Sequence, residues 1–530
     1  MTQKYRVLVM DGLNRTGIEI LRKEPAIRVD ERERISPPEL KKIASRYDAI
    51  VVRSQTEITR DILERAKRLK VVGRAGVGMD NIDVKAATKR GVVVMNSPGG
   101  NTISTAEHTL SMLLALSRNI PQANASLHES KWNRSQFTGV ELYGKVLGVV
   151  GLGRIGREVA HRARAFGMKV IASDPFISKE KARQLEIELV DLKTVLARSD
   201  YISLHVPLTP ETRHMLGAAE LKRVKTGVRI INCARGGLID EQALVKALKA
   251  KRVGGAAVDV FEEEPPHNHP LLKFDNVIAT PHLGAATSEA QVHVAQDIAQ
   301  QVADCLLGRG VRNAINMPWV DPSVAKSVEP YVGLAEKIGH LEGQLVGERF
   351  QRVEIRYSGE VTAYDLAPMT LAVLKGLMTP LFEQEVNFVN APLLAKERGI
   401  RVTETKSSQV EDYANLITVE IRVDHKVRLV AGTLFGRRVP RIVRIDEYHV
   451  DAVPSGHMLF IQNRDRPGMI GMIGTLLGRN KINIADMTLG RGSRGGIALT
   501  VLNVDNVVPP RVLARIRRHP HIVAARLVKL

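Results

Sequence analysis

The sequence is poor in cysteine and in long apolar runs. Only Cys233 and Cys305 are present among 530 residues, so a disulfide framework is excluded and the core must hold without covalent staples. No apolar run approaches the ~18 residues that a membrane-crossing helix needs. The N-terminal stretch "MTQKYRVLVM" lacks the charged and apolar regions of a secretory signal. We therefore expect a soluble protein of a reducing compartment, the cytoplasm, with no membrane partner.

Aromatic residues are also scarce. At 4% of the chain, they supply few platforms on which single-stranded nucleic acid could stack. The formal net charge is nevertheless +20, which brings an anionic ligand or nucleic acid into consideration. The basic residues near the C-terminus, as in "RVLARIRRHP", are typical of a solvated helix face. We expect an anionic small molecule and no nucleic acid.

The length and the pattern indicate several α/β domains in tandem. A chain of 530 residues suggests roughly three or four domains. Short β-branched runs such as "YRVLVMD" and "AIVVRS" alternate with polar helical stretches over the first hundred residues, and a second such series begins at "KVLGVVG". This alternation predicts two units with parallel sheets. No short-period repeat or low-complexity tract interrupts it.

The last two hundred residues have a different texture. After Asn316-Met317-Pro318 the strands "RVEIRYSGEV", "LITVEIRV" and "LVAGTLFG" indicate a mixed α+β unit. Beyond Pro454-Ser455-Gly456, the order strand, helix, strand, strand, helix, strand predicts a ferredoxin-like βαββαβ unit.

A glycine-rich loop follows the first strand of the second α/β series. Gly151, Gly153 and Gly156 in "KVLGVVGLGRIG" lie between a predicted strand and a predicted helix, where they would permit a tight turn, close approach of a pyrophosphate and helix–sheet packing. Asp174 ends the next strand and can accept hydrogen bonds from an adenosine ribose, which favours NAD over NADP. The alternative is a strand-to-helix turn that needs glycine only for packing.

Three polar residues follow later strands of the same series. Arg235, Glu264 and His282 come after strands whose carboxyl ends line one crevice in an open sheet. Imidazole can take the proton of a secondary alcohol during hydride transfer, so His282 is the candidate base. Glu264 would orient the imidazole and raise its pKa, and Arg235 would hold a substrate carboxylate in two hydrogen bonds. Taken singly, each residue could be structural.

The motifs "GLGRIG", "NCARGGLIDEQAL", "DVFEEEPP" and "PHLGAAT" occur in an order and spacing that resemble the D-2-hydroxyacid dehydrogenases. "VVGRAGVGMDNID", "NSPGGNTISTAEH" and "NFVNAPLLAKERGI" resemble the long bacterial branch that opens the phosphorylated serine pathway. The resemblance covers essentially the whole chain. It implies NAD-dependent oxidation of 3-phosphoglycerate to 3-phosphohydroxypyruvate.

The resemblance also implies further contacts. Besides the glycine loop, Asp174, Arg235 and His282, it places these residues at the cofactor: Val77, Arg154, Ile155, Val206, Cys233, Ala234, Asp259 and Gly284. It places Arg53, Arg74, Asn101 and Thr102 at the substrate, and it allows Arg134 to reach the site of a second subunit. The alternative for each arginine is an ordinary surface position. No metal is implied.

The same resemblance implies the domain limits. A flavodoxin-like substrate lobe would comprise residues 1–98 closed by 286–316, with the NAD-binding Rossmann domain at 99–285 inserted between these segments. Closure of the lobes would exclude water. An intervening assembly or regulatory domain would occupy 317–452, and a regulatory ACT domain 456–530.

The ACT resemblance points to L-serine as an effector and to a homo-oligomer, a dimer of catalytic units that forms a tetramer. Asn463, Asp465 and Asn483 match positions that bind the amino acid in serine-inhibited relatives. The alternative is an ACT domain that serves assembly alone. Two alternatives to the activity stay open: a dehydrogenase of an unphosphorylated 2-hydroxy acid, and an NADH-sensing, corepressor-like binding protein on the same fold.

Overall fold

A computed structural model describes residues 4–317, 322–347, 350–409, 412–423 and 426–530. It contains four sheets that follow one another along the chain. Within these residues, no helix combines the length and the apolar character that crossing a membrane requires.

The first sheet is parallel and buried on both faces. Its strand order is β2-β1-β3-β4-β5, the flavodoxin-like order that the family resemblance implies. All four residues of its third strand, "AIVV", are buried, as expected of a strand covered by helices on both sides. The elements are β1 (Tyr5–Val9), α1 (Arg15–Lys23), β2 (Ile27–Glu31), α2 (Pro37–Ile43), β3 (Ala49–Val52), α3 (Arg60–Arg65), β4 (Val71–Arg74), α4 (Val84–Lys89) and β5 (Val93–Asn96).

The second sheet is also parallel, with the order β12-β11-β10-β9-β6-β7-β8. The order reverses between β6 and β9, and a crevice for a ligand forms at the carboxyl ends of strands on either side of such a point. The predicted Rossmann-type sheet is confirmed. The elements are α5 (Thr102–Arg118), α6 (Ile120–His128), β6 (Val146–Val150), α7 (Arg154–Ala165), β7 (Lys169–Ser173), α8 (Lys179–Gln184), β8 (Glu188–Leu189), α9 (Leu192–Arg198), β9 (Tyr201–Leu204), α10 (Ala218–Leu221), β10 (Val228–Asn232), α11 (Glu241–Lys249), β11 (Val253–Val258), β12 (Val277–Ala279) and α12 (Ser288–Leu306).

The long helix α12 returns to the first sheet. Its buried residues Val294, Ile298 and Val302 belong to the same apolar cluster as Val7 and Val71 of that sheet. The chain thus passes from the first sheet to the second through α5 and comes back through α12. The residues that precede α5 and α12 therefore lie where the two α/β units join.

The third sheet is mixed, with the order β14-β13-β15-β16-β17-β18. Only its β13–β14 pair is parallel among the described pairings. Helices α13 and α14 pack together and contribute to its apolar core. The elements are α13 (Pro322–Val346), β13 (Arg352–Gly359), α14 (Ala367–Met378), α15 (Ala391–Glu397), β14 (Arg401–Ser407), β15 (Asn415–Val423), β16 (Lys426–Phe435), β17 (Val439–Ile445) and β18 (Tyr448–Ala452).

The fourth sheet is antiparallel, with the order β20-β21-β19-β22. Two helices accompany it in the predicted βαββαβ sequence, so the ferredoxin-like interpretation of this segment is confirmed. The limits of the four predicted domains stay predictions. The elements are β19 (His457–Arg464), α16 (Met469–Arg479), β20 (Ile484–Arg491), β21 (Ile497–Val504), α17 (Pro510–Arg517) and β22 (Ile522–Lys529).

Candidate active site

The glycine-rich loop joins β6 to α7 at the crevice. Gly151 has a φ of +94°, a conformation that residues with a side chain rarely adopt. A Cβ on Gly156 would lie 2.0 Å from the Gly151 carbonyl oxygen, so only glycine lets α7 begin this close to the strand. Within the described part of the chain, a Cβ on Gly153 would meet nothing within 4 Å, and no side chain caps the helix there. The backbone amides in the first turn of α7, which have no acceptors within the helix, and the open space beside Gly153 fit the pyrophosphate of NAD.

Asp174 is tied to this loop. Its carboxylate accepts hydrogen bonds from the backbone amides of Leu152 (2.7 Å) and Phe176 (2.8 Å). The carboxylate therefore fixes the shape of the loop, a role that the sequence did not indicate. Each oxygen keeps a lone pair for a further donor, so the predicted contact with the ribose stays a prediction.

Other predicted cofactor residues surround the loop. A Cβ on Gly151 would lie 2.9 Å from Cγ1 of Val206, so this valine lies against the loop. Ile155 packs on the core beneath it. The exposed Arg154 extends towards the segment between β5 and α5, where its Nη1 lies 3.3 Å from a Cβ built on Gly99.

The candidate base and its carboxylate partner are in contact. His282 Nδ1 lies 2.8 Å from Glu264 Oε2, and Glu264 Oε1 accepts the backbone N–H of Phe261 at 3.2 Å. Burial raises the pKa of Glu264, but the hydrogen bond and charge of His282 outweigh it and hold the pKa below its ordinary value. An ionised Glu264 requires a proton on Nδ1, which leaves the lone pair of Nε2 for a substrate. The two side chains thus lie within hydrogen-bonding distance, as the sequence predicts for a base and the carboxylate that orients it.

Asp259 anchors the loop that carries His282. The carboxylate is 1% exposed and accepts Thr280 Oγ1 (2.6 Å) and the amides of Leu283 (2.7 Å) and Gly284 (2.9 Å). His108 Nε2 lies 3.1 Å from the same carboxylate. Burial raises the pKa of Asp259, but the hydrogen bonds from His108, Thr280 and Leu283 outweigh this effect and hold the pKa below its ordinary value, so the group stays ionised.

Arg235 crosses from the second α/β unit to the first. Its Nε donates to Asp80 Oδ2 at 2.9 Å, and its Nη1 donates to the Ala234 carbonyl at 2.7 Å. A Cβ on Gly78 would lie 2.0 Å from its Nη2, so the guanidinium lies over the "GVGMD" loop. A Cβ on Gly236 would lie 1.8 Å from the carbonyl oxygen of Phe261. The loop of Arg235 therefore packs directly on the loop of Glu264.

A second arginine lies beside Arg235. Burial and the charges of Arg235 and Arg53 lower the pKa of Arg74 to about 10, although Asp80 and Asp11 act in the opposite direction. Nε of Arg74 is buried and has no hydrogen-bond partner within the described part of the chain. Three arginines that repel one another around an unsatisfied donor form a site suited to an anion with more than one charge.

The remaining predicted substrate residues differ in their surroundings. Asn101 and Thr102 lie at the start of α5, whose first turn has no side-chain cap. The side-chain oxygen of Asn101 is buried and finds no donor among the residues that the structure describes. Arg134 lies exposed on a 3-10 turn, Arg134–Phe137, and makes none of the contacts described above.

The predicted cofactor residues Val77 and Ala234 are held through their backbones, whereas Cys233 is held by burial. The Val77 carbonyl accepts Asn96 Nδ2 at 2.7 Å, and the Ala234 amide donates to the side chain of Asn232 at 3.1 Å. Cys233 is buried, and burial and the charge of Asp259 raise the pKa of its thiol. Cys233 is thus a packing residue rather than a nucleophile.

The three predicted effector residues are engaged within the fourth sheet region. Asn463 is buried and donates to the carbonyl of Arg464 at 2.9 Å. Asp465 accepts the Gly495 amide at 3.1 Å, and Asn483 donates to Asp505 at 2.8 Å. Each residue is held by its own unit, and Asn483 is exposed.

Sequence reasoning missed Asp80 and His108, although both adjoin the site. Asp80 lies in "GRAGVGMD", the segment that also contains Arg74, and His108 lies in "GGNTISTAEH", the segment that also contains Asn101. An acidic and a basic side chain inside two already notable motifs were the available signals. Their partners, Arg235 and Asp259, lie about 150 residues further along the chain.

Comparisons with known proteins agree with this geometry. Family models match residues 110–284 (D-isomer specific 2-hydroxyacid dehydrogenase, NAD binding domain), 327–446 (D-3-phosphoglycerate dehydrogenase intervening domain) and 457–521 (ACT domain). The chain is similar to the D-3-phosphoglycerate dehydrogenase of Synechocystis sp., with 47% identity over 99% of this chain and 95% of that protein. The enzyme of that name from Archaeoglobus fulgidus is 46% identical over 99% of this chain and 100% of its own length.

A solved structure resembles the first two units. D-lactate dehydrogenase from Aquifex aeolicus, complexed with NAD and lactic acid, matches with a TM-score of 0.51 and 30% identity, over 57% of this chain and 96% of that one. The NAD-binding domain and the identities over the full length lead to one conclusion. The chain belongs to the D-3-phosphoglycerate dehydrogenase family of NAD-dependent D-2-hydroxyacid dehydrogenases.

Proposed function

We propose that this chain oxidises 3-phospho-D-glycerate to 3-phosphohydroxypyruvate with NAD, the first step of the phosphorylated pathway to L-serine. The observation that carries the chemistry is the 2.8 Å contact between His282 Nδ1 and Glu264 Oε2. It leaves Nε2 as the basic atom in a crevice that also holds a glycine loop. The identity of the substrate is inferred from the D-3-phosphoglycerate dehydrogenases to which the chain is similar.

His282 acts as the base. Its Nε2 takes the proton of the substrate hydroxyl while Glu264 holds the proton on Nδ1 and stabilises the imidazolium that results. Bound NAD supplies the acceptor for the hydride that leaves the carbinol carbon. In the reverse direction the imidazolium returns its proton to the carbonyl oxygen of the keto acid.

The arginines hold the substrate. Arg235 binds the carboxylate and fixes the carbinol carbon against the cofactor site, since a guanidinium can form two parallel hydrogen bonds. Arg53 and Arg74 bind the phosphate, which would relieve the repulsion among the three cations and satisfy Nε of Arg74. Asn101 and Thr102 add donors at the start of α5. Arg134 extends towards the site of a second subunit.

The substrate class is tested by steady-state kinetics. NADH oxidation is measured with 3-phosphohydroxypyruvate, hydroxypyruvate and glyoxylate. We expect kcat/KM to be at least about 100-fold higher for the phosphorylated acid, since the other acids lose the contacts of both Arg53 and Arg74 and each charge-assisted contact is worth about 1.5–3 kcal/mol. Equal values would support the dehydrogenase of an unphosphorylated 2-hydroxy acid. Binding of NADH without turnover of any acid would support the NADH-sensing protein.

The base is tested by paired variants. His282→Ala should reduce kcat at least about 1,000-fold and leave NADH binding, followed by its fluorescence, within a few-fold. Glu264→Gln should reduce kcat less and keep KM near its normal value. Normal turnover by the alanine variant would remove His282 from this role.

We propose further that L-serine binds the fourth unit and inhibits the enzyme. Asn463, Asp465 and Asn483 supply amide and carboxylate groups that suit an ammonium and a carboxylate. Calorimetric titration with L-serine, with D-serine as control, should show heat for the L-isomer only, and L-serine should lower kcat. No heat and no inhibition would leave the ACT domain with assembly alone.

The assembly is proposed as a homotetramer built from dimers of catalytic units in the cytoplasm. Helix α6 has no buried residue. Its residues Ile120 and Leu127 are 53% and 57% exposed, and Trp132 just beyond it is 76% exposed. Large apolar side chains exposed together in one chain are typical of a surface that a second subunit covers. Light scattering on the purified chain should give four times the mass of the chain. A monomer mass at micromolar concentration would contradict this.

A further inference from the structure

The loop that carries the base is held in a strained conformation. His282 has a φ of +56°, which costs a residue with a side chain about 1–2 kcal/mol. Its amide nitrogen contacts the carbonyls of Asp259 (2.9 Å) and Thr280 (3.0 Å). The next two amides, of Leu283 and Gly284, donate to the Asp259 carboxylate. The position of the imidazole therefore depends on one buried side chain.

That side chain needs donors to remain charged. Asp259 is almost fully buried, and an ionised carboxylate inside a protein is stable only when its oxygens are hydrogen-bonded. Two side chains meet this need, Thr280 from the loop itself and His108 from α5. His108 Nε2 also lies 3.2 Å from Thr280 Oγ1, so it touches both the carboxylate and the loop.

His108 belongs to a wider attachment between α5 and the loop. Thr105 Oγ1 donates to the Gly284 carbonyl at 3.0 Å, and Ser104 Oγ lies 2.6 Å from Thr287 Oγ1. These residues lie within two turns of the start of α5, the helix that connects the two α/β units. The attachment thus joins the base loop to the helix at whose first turn the candidate substrate residues lie.

A metal ion would be an alternative use of this cluster. One ligand atom each of His108, Cys233 and Asp259 lies within 4.8 Å of the other two. A metal requires a thiolate and free carboxylate lone pairs. The pKa of Cys233 is raised by burial and by Asp259, and the carboxylate already accepts four donors. The chemistry of the cluster is that of a hydrogen-bonded support.

We propose that His108 is a positioning residue for the catalytic base: by donating to Asp259 it holds the 280–284 loop so that Nε2 of His282 meets the substrate hydroxyl. The proposal rests on the proposed function for its kinetic consequence. It does not depend on that function for its structural consequence, which is the protection of the loop amides.

The kinetic test uses His108→Ala and His108→Gln, with His161→Ala on the exposed face of α7 as the matched control. His108→Ala should lower kcat about 10- to 100-fold, the effect of one charge-assisted hydrogen bond, while KM for 3-phosphohydroxypyruvate changes less than about threefold because the arginines are untouched. His108→Gln keeps a donor and should recover kcat to within about fivefold. His161→Ala should behave like the wild type.

The structural test needs no substrate. Hydrogen exchange of the full chain should show faster exchange at Leu283 and Gly284 in His108→Ala than in the wild type or in His108→Gln. If the wild type has no dehydrogenase activity, this result still decides the proposal. Unchanged exchange at these amides, a kcat for His108→Ala within twofold of the wild type, or a glutamine variant as impaired as the alanine variant would overturn it.

Discussion

Replacing Glu342 by glutamine should stabilise the protein, and more so at alkaline than at acidic pH. Glu342 lies on α13 and is 0% exposed. Neither of its carboxylate oxygens has a hydrogen-bond partner within the described residues. Burial raises its pKa to about 8; the charge of Arg428 lowers it and that of Asp446 raises it. A buried carboxyl group with so little support is neutral over most of the physiological range.

The size of the effect follows from linkage. A group whose pKa is raised in the folded state contributes stability that is complete below the unfolded value, 4.5, and is lost as the pH rises through about 8. At ~1.4 kcal/mol per pH unit, the separation of these two values corresponds to about 5 kcal/mol above pH 8 and to about 3 kcal/mol at pH 7. Glutamine does not ionise, so Glu342→Gln should be free of this loss.

Differential scanning calorimetry at pH 6 and pH 9 measures the difference, and hydrogen exchange of α13 locates it. At pH 9 the Tm of the transition that includes α13 should rise by about 5 °C or more, and at pH 6 by about half as much, because linkage leaves about 2 kcal/mol there. The matched control is Glu336→Gln on the same helix, where the carboxylate is partly exposed and lies 2.8 Å from Lys375 Nζ. Such a pair contributes about 1 kcal/mol or less, so the control should change Tm little.

Two results would refute the reasoning. The first is a change in Tm for Glu342→Gln that is the same at both pH values, because linkage requires a difference. The second is a lower Tm at pH 9, which would mean that the buried carboxylate is ionised and supported by Arg428.

Three further predictions concern the cofactor loop, the phosphate site and the thiols. Gly153→Ala should keep its Tm and lose NADH affinity, whereas Gly156→Ala should lose Tm because its Cβ would lie 2.0 Å from a carbonyl oxygen; equal Tm for the two variants in calorimetry would contradict this. Arg74→Met should raise KM for 3-phosphohydroxypyruvate about 10- to 100-fold without lowering Tm, because it removes a buried cation beside other cations; an unchanged KM would be inconsistent with a phosphate contact. Burial raises the pKa of Cys305 to about 11 from the ordinary 9.0, so iodoacetamide should label this thiol at pH 8 roughly 100-fold more slowly than a free thiol. Burial also raises the pKa of Cys233, so this thiol should react slowly as well. The intact mass should show neither cysteine modified after brief exposure.

Local sequence signals predicted the architecture well, for a physical reason. A strand buried on both faces must be apolar along its length, and a turn with positive φ needs glycine, so "AIVV" and "GLGRIG" carry their structure within a few residues. The strand ends that bear Arg235, Glu264 and His282 were likewise visible, because parallel strands bring their carboxyl ends to one edge. The spacing of the last unit predicted its βαββαβ order in the same way.

Contacts between distant segments could not be predicted in this way. The sequence by itself determined the sheets and the glycine-rich turn, and it singled out His282 and Glu264 as the candidate base and its partner, since each depends on residue types close to the end of a strand. Only the tertiary structure decided that Asp80 holds Arg235, that His108 supports Asp259, and that Glu342 is enclosed without a hydrogen-bond partner among the described residues. A polar side chain has the same letter whether water or a buried carboxylate surrounds it, and only the packing of segments about 150 residues apart distinguishes the two surroundings.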